Sequence, residues 1–325
     1  MKKKNDYVYA MSENARAPLK EIAQYLHMSP QRLKYISKSL KKDGIIKQAY
    51  CIFDYSYFGQ LLFRVYFKGG YISETDKERI LHALFKNPYI VSVYELTGEY
   101  DLVVEFACPN PSRFNKELKQ TIALKPTLKD YKIILNLVTY LYPRQYLTDK
   151  PELQRLHTEQ LIGGDRNQIL FNNNEKQVAK ALLQNPVGRL KSLAEESSLN
   201  TRTVKTVIKT LTEKKIIRGF RFVIDTEKLR ISKSRMFLKL HNIKPEREQE
   251  LVQYFGKTKE IIQANKTVGD WDVEIDIESF DRTRSRYIIM QIRKNFADIV
   301  AYFNLMDFYS YHKRSYLPAY IFNED

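Results

Sequence analysis

The sequence predicts an α+β protein in which a winged helix-turn-helix and a ferredoxin-like βαββαβ domain are joined, and the pair is then duplicated in tandem. Three observations predict it. A constant offset of 171 positions lays one half of the chain on the other, with Gly98 over Gly269 and Asp101 over Asp272. Each half opens on three helical patterns followed by an extended segment. Each half then closes on strands of period two interleaved with two amphipathic helices.

The offset holds without a gap from Leu19–Asp54 against Leu190–Asp225. Ala23, Lys34, Lys38 and Leu40 fall on Ala194, Lys205, Lys209 and Leu211. Ile45 and Ile46 fall on Ile216 and Ile217, Arg64 on Arg235 and Lys68 on Lys239. A late match, Arg144–Leu147 against Arg314–Leu317, survives a small change in length. The expected organisation is a winged helix-turn-helix over 1–55, a ferredoxin-like assembly and effector domain over 56–147, and a linker over 148–171. A second winged helix-turn-helix over 172–226 and a second ferredoxin-like domain over 227–325 complete it. Leu153, Leu156 and Leu161 suggest a short helix in the linker; Gly163–Gly164 and Asn172–Asn174 suggest loop. As flexible coil, some 26 residues would reach roughly 30 Å.

In the first copy the front helices are expected over 5–14, 18–26 and 30–42. Ser29 before Pro30 supplies a capping hydroxyl and a proline at the first helical position, and Asn200 caps the matching helix of the second copy. Leu33, Ile36 and Leu40, like Val204, Val207 and Leu211, recur at helical spacing and face inward. The opposite faces carry Gln31, Arg32, Lys34, Tyr35 and Lys38, and Arg202, Thr203, Lys205, Thr206 and Lys209. A two-stranded ribbon is expected next, from IIKQAYCIFD and IIRGFRFVID. The last helix of such a unit fits the major groove of B-DNA.

Charge supports that reading. The chain of 325 residues carries a net +16. Residues 1–54 hold 11 basic and 5 acidic side chains, and residues 172–225 hold 11 and 5 again. The excess is concentrated where phosphates would be neutralised. No apolar run approaches the length of a membrane span, and MKKKND leads into no apolar signal core. Cys51 and Cys108 are read as reduced, buried thiols, which fits a cytoplasmic protein. The five histidines show no metal-ligand spacing. Neither a phosphate-cradling glycine loop nor a nucleophile motif occurs, so no metal, cofactor or catalytic residue is expected.

Behind the ribbon, the first copy reads strand 60–68, helix 75–87, strands 90–96 and 100–107, helix 111–122 and strand 128–139. The second reads 233–240, 246–256, 261–266, 272–277, 280–296 and 299–311 in the same order. Arg64, Tyr66 and Lys68 point to one face of their strand. Asp101 and Glu105 point to the corresponding face of a neighbour, so the face away from the helices pairs a basic strand with an acidic one.

This order, with its Gly98-Glu99-Tyr100-Asp101 and Gly269-Asp270-Trp271-Asp272 turns, resembles the Lrp/AsnC (leucine-responsive, feast–famine) transcription regulators over nearly the whole chain, twice. The resemblance implies sequence-specific binding to double-stranded DNA. It also implies assembly through the rear domains, sheet against sheet, and a small effector, commonly an amino acid, near Gly98, Asp101, Gly269 and Asp272. The family ordinarily has one such unit per chain. Here the two units form either an intramolecular pseudo-dimer or a homo-oligomer. Two readings stand beside the regulator: a siroheme decarboxylase-like enzyme on the same fold, and an architectural, sequence-indifferent DNA-binding protein. DNA contact is assigned to the ten residues named on the two exposed helix faces. For the turns, the bland reading is that glycine only permits the bend and aspartate only pairs across the sheet.

Overall fold

The computed structural model describes residues 2–322 apart from 70, 72, 125, 155, 156, 158 and 243. The first copy comprises α1 (Lys2–Glu13), α2 (Leu19–Leu26), α3 (Pro30–Lys42), β1 (Ile46–Phe53), β2 (Leu61–Phe67) and α4 (Glu74–Lys86). It continues with β3 (Ile90–Thr97), β4 (Leu102–Cys108), α5 (Pro111–Ile122) and β5 (Tyr131–Leu141). A connecting segment carries α6 (Pro151–Gln154) and β6 (Gln160–Gly163). The second copy repeats the order as α7 (Asn173–Gln184), α8 (Leu190–Glu196), α9 (Thr201–Glu213), β7 (Ile217–Ile224) and β8 (Ser232–Leu240). Then follow α10 (Pro245–Lys257), β9 (Ile261–Val268), β10 (Val273–Ser279), α11 (Arg282–Asn295) and β11 (Val300–Arg314).

The two halves are built into one another. The expected two-stranded ribbon of each half is instead a single strand, and β1 pairs antiparallel with β7, Ala49 opposite Phe222 and Cys51 opposite Phe220. Neither segment contains a two-residue turn that could fold it back on itself, so the pairing edge is found in the other half. The front cores are exchanged accordingly. Leu33 and Leu40 of α3 share a cluster with Phe222 and Ile224 of β7, while Val204 and Leu211 of α9 share one with Ile52 and Phe53 of β1. Cys51 and Cys108 are free and buried.

The rear strands run β2-β4-β3-β11-β8-β10-β9-β5, and β5 returns to β2, so eight strands close into a barrel. Closure depends on the last strand of each half. β5 pairs with β2 of its own half and with β9 of the other; β11 pairs with β8 and with β3. Closing the sheet leaves no free edge on these strands. The helices lie outside, where Ile80, Leu84, Phe114 and Leu118 cover one half and Leu251, Phe255, Ile288 and Ile292 the other.

The connecting segment is not the free coil that its composition suggests. β6 adds to β5, with Thr139 opposite Ile162. The Gly163 amide donates to Asp54 Oδ1 at 2.9 Å and Gln160 Nε2 donates to the Arg218 carbonyl at 2.7 Å. The short helix is present as α6 around Leu153, and Leu156 lies outside the described residues.

The face of each sheet away from the helices is the barrel interior, and its charges are sealed in. Arg64 pairs with Glu105 at 2.6 Å and with Glu274 of the other half. Arg235 grips Asp276 through two nitrogens, at 2.6 and 3.0 Å, and also donates to the hydroxyls of Tyr66 and Tyr94. Burial opposes the charge on Arg64, but Glu274 leads the surrounding groups that outweigh it and hold the guanidinium protonated. Burial likewise raises the Asp276 carboxyl, yet Arg235 and Lys233 bring it down to about 2. The charge pairing expected on the face away from the helices is thus a buried network joining the halves, where loss of one partner is costly.

Candidate nucleic-acid interface and paired glycine turns

α3 begins where the sequence places it. Ser29 Oγ accepts from the Arg32 amide at 3.2 Å, and Pro30 occupies the first turn. Leu33 and Leu40 bury the inner face, which turns Gln31, Arg32, Lys34, Tyr35 and Lys38 to solvent; Tyr35 is 74% exposed. α9 repeats this arrangement. Asn200 Oδ1 accepts from the Thr203 amide at 2.8 Å. Val204, Val207 and Leu211 are buried, leaving Arg202, Lys205, Thr206 and Lys209 exposed and Thr203 half-buried. Lys209 pairs with Glu213 at 3.7 Å; among the described residues the other cations of the two faces make no ion pair. A run of uncompensated cations beside polar side chains at helical spacing suits phosphates and base edges. Exposed Tyr35 adds an apolar surface for a sugar or a thymine methyl group.

The glycine turns sit at one end of the barrel. Gly98 and Gly269 have φ of +142° and +147°, a backbone that favours glycine. Each turn abuts the last strand of the opposite half. A Cβ on Gly98 would lie 3.4 Å from Met306 Cγ, and one on Gly269 would lie 3.0 Å from the Ile133 carbonyl oxygen. The aspartates act within their own halves. Asp101 donates its amide to the Phe67 carbonyl at 3.0 Å, and its carboxylate accepts from the Gly69 amide at 2.6 Å. Asp272 does the same with Leu238 and Leu240, at 3.0 and 2.8 Å, and adds Lys239 at 3.1 Å.

Between the turns lies a cavity of about 410 Å³. Its walls include Glu99, Tyr100, Lys132, Lys239, Gly269 and Trp271. Of the four turn residues singled out in the sequence, only Gly269 lines it; Asp101 and Asp272 hold strand ends instead. Lys132 and Asp270 pair across the halves at 2.8 Å, and Glu99 pairs with Lys68 at 3.1 Å. Lys132 and Tyr302 were not legible as neighbours of the turns, because they arrive on β5 and β11, whose crossing to the opposite half no local pattern announces.

Comparison with known proteins agrees with this geometry. Residues 9–47 match the profile described as winged helix-turn-helix DNA-binding, and residues 62–146 match that of the Lrp/AsnC ligand binding domain. The HTH-type transcriptional regulator FL11 of Pyrococcus horikoshii is 32% identical over 113 residues, spanning 33% of this chain and 70% of the relative. An uncharacterized HTH-type transcriptional regulator of Pyrococcus furiosus is 28% identical over 111 residues, or 34% of this chain and 72% of the relative. Among solved structures, the siroheme decarboxylase NirDL superposes with a TM-score of 0.57 over 97% of this chain and 94% of its own, at 13% identity. At that identity the likeness shows a shared fold alone. No helix among the described residues is long and apolar enough to cross a membrane. The chain belongs to the Lrp/AsnC family of DNA-binding transcription regulators, with two copies of the family unit folded into one body.

Proposed function

We propose that one chain reads two unlike DNA half-sites, one with α3 and one with α9, and that a small metabolite at the turn cavity modulates this reading. The observation that carries the proposal is the pair of basic faces, Gln31–Lys38 and Arg202–Lys209, whose cations apart from Lys209 make no ion pair among the described residues, mounted on a shared β1–β7 ribbon. The two faces share lysines but differ at the remaining contact positions, so they present different donors to the bases. Selection of bound sequences from random duplex DNA, with the mass of the complex measured, is expected to return two dissimilar half-sites. A perfect palindrome would contradict it. Arg32→Ala and Arg202→Ala should each relax a different half-site, with a loss of about 1–3 kcal/mol if the arginine reads a base. Uniform weakening on random competitor DNA would instead favour the architectural, sequence-indifferent binder.

For the effector we infer an amino acid or a metabolite of similar size and charge. Lys132 and Lys239 offer cations, Glu99 and Asp270 offer carboxylates, and Tyr100, Trp271 and Tyr302 offer apolar surface in a cavity shared by both halves. Titration of the full chain with a panel of amino acids should give saturable binding that Lys132→Ala weakens. Lack of saturation with every member would remove the effector from the proposal and leave the DNA reading intact. The relatives are named transcriptional regulators, and the enzymatic reading on the NirDL fold is not favoured. A Soret band in the purified protein would reopen it. From action on DNA we infer a cytoplasmic protein.

A further inference from the structure

A second cavity, of about 160 Å³, lies at the opposite end of the barrel, beneath the β1–β7 ribbon. The ribbon contributes Lys47 and Tyr50 from β1, with Asp225 and Glu227 just past β7; the barrel contributes Arg144, Lys233, Glu278 and Arg314. Most of the carboxylate charge is already committed. Glu278 accepts from Arg144 at 2.8 Å and from the Tyr146 hydroxyl at 2.7 Å. Asp225 pairs with Lys47 at 3.0 Å and accepts from the Lys228 amide at 2.9 Å. Glu227 is exposed.

Two further cations face the cavity: Arg314, which has no carboxylate partner among the described residues, and Lys233, which shares its two with Arg144 and Arg235. One terminal nitrogen of Arg314 donates to Gln263 Oε1 at 3.1 Å and to the Tyr316 hydroxyl at 3.3 Å. Its guanidinium lies 4.3 Å from the Tyr311 ring centre and 5.1 Å from that of Tyr50. Lys233 is 5% exposed and stands 3.9 Å from the Phe308 ring centre. Its nearest carboxylates, Glu278 and Asp276, are 3.5 and 3.9 Å away. Burial pulls its pKa down to about 8 against those two partners.

The repeat shows why Arg314 lacks a counter-ion. Arg144 and Arg314 are the matching arginines of the two halves, and Arg144 pairs with Glu278 at 2.8 Å and with Glu13 at 3.2 Å. The position matching Glu278 is Ala107, and the position matching Lys233 is Leu62. The pairings agree: Lys233 lies opposite Glu278 on β8 and β10, and Leu62 opposite Ala107 on β2 and β4. A shielded guanidinium without a carboxylate is unfavourable unless something supplies the charge.

We propose that this cavity binds a small oxoanion, a carboxylate or a phosphate, held by Arg314 and Lys233 against Tyr50 and fastening the reading-head ribbon to the barrel. Guanidinium forks and oxoanions match in geometry, and Arg314 has donors that no other described residue uses. The site is distinct from the turn cavity and stands whether or not that cavity holds an effector.

The test is calorimetric titration of the full chain, at fixed ionic strength, with inorganic phosphate and with succinate. One of the two is expected to bind saturably at one site per chain, and which of them binds identifies the anion. Arg314→Gln and Lys233→Leu should each raise the dissociation constant about tenfold or more. Lys233→Leu installs the residue that the matching position already holds, so it tests the site even if Arg314→Gln does not fold. Binding should be unchanged in the double variant Lys34→Gln, Lys38→Gln, which separates this cavity from phosphate contacts on the reading face. Absence of saturation with both probes, or wild-type affinity in Lys233→Leu, would overturn the proposal.

Discussion

The two halves share a backbone plan and differ in what they bury. At matching positions Arg64 and Arg235 both point into the barrel, and each has a carboxylate on the neighbouring strand, Glu105 or Asp276. Around that common motif the halves diverge. The first has Tyr66, Tyr94 and Val103 where the second has Phe237, Asn265 and Glu274. The differences are complementary. Glu274 crosses to Arg64 and accepts from the Tyr66 hydroxyl at 2.7 Å, while Arg235 crosses to the hydroxyls of Tyr66 and Tyr94. In two copies of the second half, Glu274 would face an Arg235 already gripped by Asp276, with Phe237 in place of the Tyr66 hydroxyl that it uses here. Fusion of the copies therefore lets each half contribute groups that the other needs, and it frees α3 and α9 to diverge together.

The most forceful way to break this complementarity is Glu274→Val, which gives the second half the residue that the first has as Val103. Arg64 then keeps Glu105 but loses its partner from the other half, and the Tyr66 hydroxyl loses its acceptor. Destabilisation of about 3–5 kcal/mol is expected in denaturant unfolding, the range for removing one partner of a buried ion pair. Arg64→Met and Glu105→Gln combined with Glu274→Val should recover a large part of that loss, because Arg64 and both of its carboxylates then leave together. Equal destabilisation in the single and triple variants would show that the cross-half pair is not what holds the interior.

The glycine turns sharpen the comparison at a smaller scale. Both need their positive φ, so alanine at either position should cost about 1–3 kcal/mol. The neighbours differ. At Gly98 the added methyl meets Met306 Cγ at 3.4 Å, a side chain that can yield, whereas at Gly269 it meets the Ile133 carbonyl oxygen at 3.0 Å, which cannot move without disturbing β5. Gly269→Ala should therefore lower the thermal midpoint more than Gly98→Ala. Equal losses would mean that the strain is purely local to each turn, and the reverse order would contradict the difference in neighbours.

Local features of this architecture were legible in the sequence, and exchanged ones were not. Ser29-Pro30 and Asn200 marked the starts of α3 and α9 because capping is decided within a few residues. The stripes Leu33/Leu40 and Val204/Val207/Leu211 marked their buried faces for the same reason. The alternation around Arg64 and Glu105 showed which face was charged. It did not show that the face would be enclosed, since closure depends on β5 and β11 crossing between the halves. The same blindness made β1 and β7 read as separate ribbons. In the sequence Arg314 stands out only as part of a repeat. Its significance appears when Ala107 is found where Glu278 stands in the other half, a comparison the offset permitted but that needed the paired strands to interpret.

The smallest expected effect concerns the caps of the two reading helices. Ser29→Ala and Asn200→Ala should each cost about 1 kcal/mol of stability. The cap at Asn200 is the shorter hydrogen bond, 2.8 Å against 3.2 Å, so it should cost the more of the two. Each cap orders the first turn from which Gln31 and Arg32, or Arg202 and Thr203, project. Loss of Ser29 should therefore weaken DNA affinity through the half-site read by α3, and loss of Asn200 through the one read by α9. Footprinting on a selected duplex separates the two outcomes. Protection that fades over both half-sites in either variant would mean that the shared β1–β7 ribbon couples the heads so tightly that they bind as one unit.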